Sequence, residues 1–311
     1  MPRFTDVLHS LASQPRYALM RAVARFALVR RGVARARGWL HAKRLRAHLR
    51  DCESRMAISD FARVDRAAFM RQLRSQGVAR GLALPAALVA EIERFALNNA
   101  CFADRSTACG FRLEHRARAE AMLGKPILVA QYFNVAAACP AVAGLLRDPF
   151  LQWIAGSYLG SMPTFVGANL WWTFPVQALP EDRDRHAHLF HRDVDDFRFF
   201  KFFFYLTDVR PGDGAHVCVV ASHGRPPLAR ISDRWRVRRY SDTEIAQQYA
   251  KDEIVEICGP AGSGFAEDTL CVHKGLTPNR EPRLLLQLQY ALFDYGVMHD
   301  NRPSGALKLI A

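Results

Sequence analysis

Long apolar runs are missing from this 311-residue chain. Nothing reaches the roughly eighteen consecutive hydrophobic residues of a membrane-crossing helix, so none is expected. Acids are scarce at the beginning. Residues 1–50 hold twelve of the 43 lysines and arginines against one acid, Asp6, whereas the remainder carries 31 basic and 29 acidic residues. The formal charge of +13 therefore describes a basic arm on a nearly neutral body. Those arginines also break up any apolar core of a secretory signal. Cysteine is sparse and unpatterned: seven residues, an odd number, without a C-x-x-C pair. That argues against a disulfide framework and predicts free thiols in a reducing cytoplasm. There is no internal repeat and no low-complexity tract. GPAGSGF lacks the G-K-[ST] ending of a phosphate loop. ASHG lacks the leading glycine of a nucleophile elbow, which removes Ser222 as a hydrolase nucleophile.

What is present is a chain that is half hydrophobic and 23% charged, enough for a sizeable core. Over 16–50, Leu19, Val23, Phe26, Val29 and Val33 recur at steps of three or four, with Arg21, Arg25 and Arg35 on another face. This helix either packs its stripe on the body or lies on an anionic membrane surface. A nucleic-acid arm is less favoured, because no aromatic or Gly-rich stacking pattern accompanies the charge. Residues 65–99 read as helices joined by GLALP, with Pro85 in the first turn of the second. From about 126 the texture changes to β, in ILVAQYFNV and, after a helical interval at 141–160, in PTFVGANLWWTF. Short apolar strands are then predicted at 188–194, 199–207, 215–220, 254–258, 268–273 and 283–293, separated by turn signals such as RPGDG and CGPAGSG. Helices first and short strands afterwards predict a mainly β, jelly-roll, cupin-like core with flanking helices. The expected division is a basic helical arm at 1–60 and one domain at 61–311, with a helical lead-in to about 125.

The richest stretch is HAHLFHRDVDD, residues 186–196. On a strand, His191 and Asp193 share a face, so both can reach one ion. A two-histidine, one-carboxylate iron site needs a second histidine, and His216, His223, His273 and His299 all lie downstream. His273 fits best, ending EDTLCVH just before a turn into a strand that begins at Arg283. A guanidinium there can bind a carboxylate through two parallel hydrogen bonds. Arg283, Leu285, Gln287 and Gln289 share one face of RLLLQLQYALF, which suggests a polar-lined cavity.

HRDVDDFRFFKFFFYLTDV, GDGAHVCVVASHG and GPAGSGFAEDTLCVHKGLTPNREPRLLLQLQYA together resemble the phytanoyl-CoA dioxygenase family of Fe(II)- and 2-oxoglutarate-dependent oxygenases, over roughly 125–295. The resemblance implies a double-stranded β-helix and makes His191, Asp193 and His273 the iron ligands. Arg283 would grip 2-oxoglutarate, with Gln287, Asn134 and Asn169 lining the co-substrate pocket, and O2 as the oxidant. An intact carboxylate at 193 points to hydroxylation rather than halogenation. The substrate would be a small molecule or a lipid-linked one, in the cytoplasm or at the inner face of a membrane. Oligomeric state is not legible. Two other classes stay open: a metal-binding relative without catalysis, and an oxygenase that acts on nucleic acid through the arm.

Among the neighbours, His186 reads as a loop residue and His188, in parity with Phe190, as facing away from the metal. Asp195 continues the parity of Asp193, and Asp196 starts a turn. His216 and His223 read as structural. Lys201, inside FFKFFF, either snorkels or faces the cavity. Trp171 and Trp172 point to opposite faces, so at most one lines the site.

Overall fold

The computed structural model describes residues 14–224 and 239–311, so the first thirteen residues of the basic arm lie outside the described residues. Within these, the strands are β1 (Val78–Ala83), β2 (Cys101–Ala103), β3 (Gly110–Phe111), β4 (Val129–Tyr132), β5 (Thr164–Thr173), β6 (Phe199–Tyr205), β7 (His216–Val219), β8 (Ile254–Ile257), β9 (Ser263–Glu267), β10 (His273–Gly275) and β11 (Arg283–Ala291). A large sheet runs β1-β9-β6-β11-β5-β4-β2-β3 and a small one β10-β7-β8, with antiparallel pairing throughout.

Strand β6 shows why the sheets stack as they do. Its sequence FFKFFFY is apolar at both parities because both faces are covered. Phe200, Phe202 and Phe204 join Leu284, Leu286, Leu288 and Tyr290 of β11 in a core that also contains Phe69, Leu73, Phe150 and Ile154 from the helices. Phe203 and Tyr205 face the other way and pack with Trp171, Phe265, Leu285, Cys218 and Ile257, a layer drawn from both sheets. Two antiparallel sheets closed around that inner layer, with helices outside, form the expected jelly-roll core.

Local structure departs from expectation in four places. The helical stretch at 16–50 is two helices, Pro15–Val23 and Ala27–Ser54. Arg30 caps the break, its guanidinium donating to Ala24 O at 2.7 Å and Arg25 O at 3.2 Å. Helices Arg66–Gln76 and Ala86–Asn98 flank GLALP, but β1 lies between them and pairs with β9, so the lead-in supplies an edge strand to the large sheet. The expected strand at 188–194 is an irregular segment with isolated bridges, Phe190 to Tyr240 and His191 to His273. Ala187 enters it at a φ of 62°. Finally, the strand expected at 268–273 is displaced: β9 occupies 263–267, where a turn was expected, and β10 begins only at His273.

Helix Ala27–Ser54 lies across helix Pro149–Leu159. Gly38 permits the crossing, since a Cβ there would stand 2.6 Å from the Gly160 carbonyl oxygen. His41 bonds Ser161 Oγ at 2.9 Å, and Glu53 accepts from the Trp153 indole at 3.1 Å. The short helix Pro15–Val23 covers another edge. Tyr17, Met20 and Ala24 pack with Val194, Phe197, Tyr295 and Met298.

Candidate metal centre

The centre is assembled largely from irregular backbone, with His273 at the first position of β10. His191 and His273 exchange both backbone hydrogen bonds at 2.9 Å, and Asp193 N–H donates to Thr269 O at 2.8 Å. These three bonds bring together two segments eighty residues apart, and the imidazole centroids end 4.3 Å from each other. Both rings are oriented the same way. His191 Nδ1 lies 2.9 Å from Leu189 O and His273 Nδ1 lies 2.9 Å from Cys271 O, each two residues back. A carbonyl accepts only, so Nδ1 carries the proton and Nε2 presents its lone pair.

Those lone pairs face Asp193: His191 Nε2 is 3.4 Å from Oδ1, and His273 Nε2 is 3.6 Å from Oδ2. Ligand atoms of the three residues all lie within 4.8 Å of one another. Burial pushes the Asp193 carboxyl up, but Lys201 and then His273 and His191 outweigh it and hold it well below the usual range. Burial, reinforced by His191, pushes His273 down to about 3. At neutral pH the centre therefore holds one carboxylate, with His273 neutral and both Nε2 lone pairs facing inward. This donor set fits a cation bound by nitrogen and oxygen.

Lys201 supplies one positive charge from the side. Its Nζ stands 2.6 Å from Asp193 Oδ2 and 3.2 Å from Asp195 Oδ2. Burial would lower its pKa, but the two carboxylates outweigh burial and raise it. Lys201 thus faces the interior rather than snorkelling. Asp195 also accepts from Gln289 at 3.1 Å. Asp196 is fully buried and accepts from the backbone N–H groups of Leu292 and Phe293, at 2.7 and 2.8 Å, so it fastens a chain crossing.

Arg283 is 2% exposed at the start of β11. It donates to the Gly214 carbonyl and, at 3.1 Å, to Thr173 Oγ1. No carboxylate pairs with it among the described residues, and burial lowers its pKa. An unpaired buried guanidinium is costly, and an anionic ligand would relieve it. His188, which sequence parity turned away, is buried on this side. It bonds Thr277 Oγ1 at 2.8 Å, and burial with Arg283 second holds it well below the usual histidine range. A methyl on Gly275 would sit 3.7 Å from an Arg283 nitrogen and 4.0 Å from the His188 ring, so the two side chains border one spot.

Across the large sheet, Gln287 is paired in register with Asn169, whose Oδ1 accepts from Gln131 Nε2 at 3.0 Å. These amides share the inward face with Trp171, and the Arg105 guanidinium lies 5.8 Å over the Trp171 ring. Asn134 is not part of this strip. It follows β4 at a φ of 61°, and both ends of its amide are committed to Arg302: Nδ2 donates to its carbonyl at 2.9 Å, and Oδ1 accepts its N–H at 2.7 Å. The expected pocket role therefore falls away, because Asn134 anchors the C-terminal tail.

Sequence reasoning read His216 as structural and missed Glu267. His216 stacks on His273, centroids 5.5 Å apart at 19°, and its Nε2 lies 2.5 Å from Glu267 Oε2. Burial pushes the Glu267 carboxyl up to about 8, and burial with Arg283 pushes His216 down to about 3. Near neutrality the proton therefore stays on the Glu267 carboxyl, against a neutral His216 ring. The outer His186 belongs to a second acidic cluster with Asp104 and Asp182. Lys125 already fills that cluster, at 2.6 Å from Asp104 and 3.1 Å from Asp182, so no metal is needed there.

No protein-family profile matches the sequence, and no curated protein matches it either. Solved structures do. HygX from Streptomyces hygroscopicus, with nickel and 2-oxoglutarate bound, superposes at a TM-score of 0.51 and 14% identity, covering 72% of this chain and 85% of that one. SnoN, a non-heme α-ketoglutarate-dependent epimerase from nogalamycin biosynthesis, gives 0.48 at 15% identity, over 74% and 82%. AviO1 from Streptomyces viridochromogenes Tue57 gives 0.47 at 18%, over 73% and 95%. At such identities the likeness concerns the fold. The chain shares a jelly-roll architecture with HygX, and the reading of its site rests on its own residues.

Proposed function

We propose that this protein is a mononuclear Fe(II)- and 2-oxoglutarate-dependent oxygenase of the phytanoyl-CoA dioxygenase type, hydroxylating a C–H bond of a small-molecule or lipid-linked substrate. The observation that carries it is the convergence of two imidazole lone pairs and one carboxylate beside a buried arginine that has no counter-ion among the described residues. His191, Asp193 and His273 would hold the iron, a two-histidine, one-carboxylate set that leaves positions open for ligands. The bound metal supplies the redox chemistry, with one oxygen atom of O2 going to succinate as 2-oxoglutarate loses CO2 and the other going to the substrate.

The chain's own residues do the rest. Arg283 and Thr173 would seat the distal carboxylate of 2-oxoglutarate, and the Asn169, Gln131 and Gln287 amides offer polar contacts along the same wall. The carbonyls of Leu189 and Cys271 lock each imidazole tautomer, so neither ring has to rotate or lose a proton on binding metal. Titrating the metal-free protein with Fe(II) or Mn(II) should give one site per chain, and adding 2-oxoglutarate with O2 should give succinate. His191→Ala should abolish both, and equal metal loading in that variant would refute the ligand assignment. Arg283→Ala should raise the 2-oxoglutarate requirement by roughly a hundredfold, the cost of leaving a buried carboxylate unpaired.

The Lys201 contact favours a second reading, a metal-binding relative without catalysis, because an ammonium on Asp193 Oδ2 competes for that oxygen. Absence of succinate from protein with its metal bound would decide for it.

A further inference from the structure

Helix Ala27–Ser54 presents two unlike faces. One is buried against Pro149–Leu159: Gly38 meets Gly160, and Leu45 and Leu49 reach Gly156. The opposite face leaves Trp39 79% exposed, Leu40 66% and Leu28 80%. An indole held almost wholly in water, on the same side as Leu28 and next in sequence to Leu40, is unusual for a folded surface.

The charges around them are of one sign. Leu28, Arg31, Arg35, Trp39, Lys43, Arg46 and Arg50 follow at steps of three or four and so lie along one side of the helix. Arg31, Arg35, Lys43, Arg44, Arg46 and Arg50 are all exposed, and none has an ion-pair partner among the described residues. The helix carries acids only in its last turn, Asp51 and Glu53, and both are engaged, by Arg55 and Arg66. The chain just before it extends the pattern, with Leu19 of helix Pro15–Val23 64% exposed and Phe26, in the break between the helices, 44% exposed.

From this we infer that the outer face of helix Ala27–Ser54 binds an anionic membrane surface. Trp39 and Leu40 enter the headgroup layer, and the flanking cations lie over lipid phosphates. Helical geometry makes the face about 40 Å long, enough to engage many headgroups at once. Apolar anchors ringed by unpaired cations match an interface that is greasy beneath and negative above. A second copy of the chain fits poorly, because a two-fold contact would set these arginines against themselves. Nucleic acid answers the charge but gives Leu28 and Leu40 nothing to cover them.

The test mixes the full-length protein with phosphatidylglycerol–phosphatidylcholine vesicles and with pure phosphatidylcholine vesicles, and follows sedimentation. Binding should be confined to the anionic vesicles and weaken with salt. Trp39→Ser combined with Leu40→Ser should lower partitioning by roughly tenfold or more. Arg35→Gln with Lys43→Gln and Arg46→Gln should lower it by roughly a hundredfold, given the attraction of each cation to an anionic surface. Both variants should melt at the parental temperature, because the altered side chains are in solvent. The inference is overturned if the parent stays in the supernatant, or if either variant partitions like the parent. It is overturned equally if the Trp39/Leu40 variant loses a dimer seen by sedimentation velocity, or if the parent binds duplex DNA but no vesicle.

Discussion

With its ammonium 2.6 Å from Asp193 Oδ2 and 3.2 Å from Asp195 Oδ2, buried Lys201 balances two partly buried carboxylates. Lys201→Met should therefore destabilise the metal-free protein by about 3–5 kcal/mol in denaturant unfolding, the usual result of stranding buried charge. Added Mn(II) should restore more stability to this variant than to the parent, because the competing cation is gone. Glu267 offers a pH-dependent counterpart. Its carboxyl rises from the ordinary 4.5 to about 8. Across that window the folded protein keeps a proton that the unfolded chain has lost. Stability is thus full below the unfolded pKa and falls as pH rises toward 8, by at most about 1.4 kcal/mol per pH unit. Glu267→Gln should flatten that fall in metal-free unfolding at pH 5.5, 7 and 8.5; an unchanged slope would place the proton elsewhere. Residues of this kind were legible to different degrees. His191 and Asp193 stood out by two-residue spacing, and Arg283 by sharing a face with two glutamines. Glu267 was hidden, since its strand sits in a glycine-rich stretch that reads as a turn.

Among elements, the glycines of the long helix separate contact from propensity. A side chain at Gly38 must displace the Gly160 backbone 2.6 Å away, whereas Gly32 has nothing within 4 Å. Gly38→Val should destabilise by about 1–3 kcal/mol through overpacking. Gly32→Ala should stabilise by about 0.5–1 kcal/mol through helix propensity alone. Opposite shifts in denaturation midpoint would confirm that the helix is docked along Pro149–Leu159; equal shifts would show it undocked. Apolar β-rich runs made β5 and β6 readable, alternation made β11 readable, and period and charge made the long helix readable. The ligand segments were not, because 188–194 and 268–273 are held by a few reciprocal backbone bonds rather than by a ladder. Hydrophobic pattern reports which face is buried. It does not report which neighbour a polar, irregular backbone will find eighty residues away.

For the molecule as a whole, the charge asymmetry of the sequence becomes an asymmetry of surfaces, with cations gathered on one outer helix and the candidate metal centre inside the jelly-roll core. The C-terminal tail closes a different flank: Lys308 N–H donates to Thr107 O at 2.8 Å, and Gly110 bridges Leu309. The opposite terminus does something else. Tyr17 of the short helix Pro15–Val23 borders a depression also lined by Asp195, Gln289, Val166, Tyr295 and Met298. It senses the centre electrically, since burial, and after it Asp195, pushes its phenol upward. Helix Pro15–Val23 therefore covers one side of that depression. On the proposed function, a substrate entering from this side has to displace that helix. Loosening it with Tyr17→Ala and Met20→Ala should show, in succinate formed without added substrate, how far the helix keeps idle turnover in check.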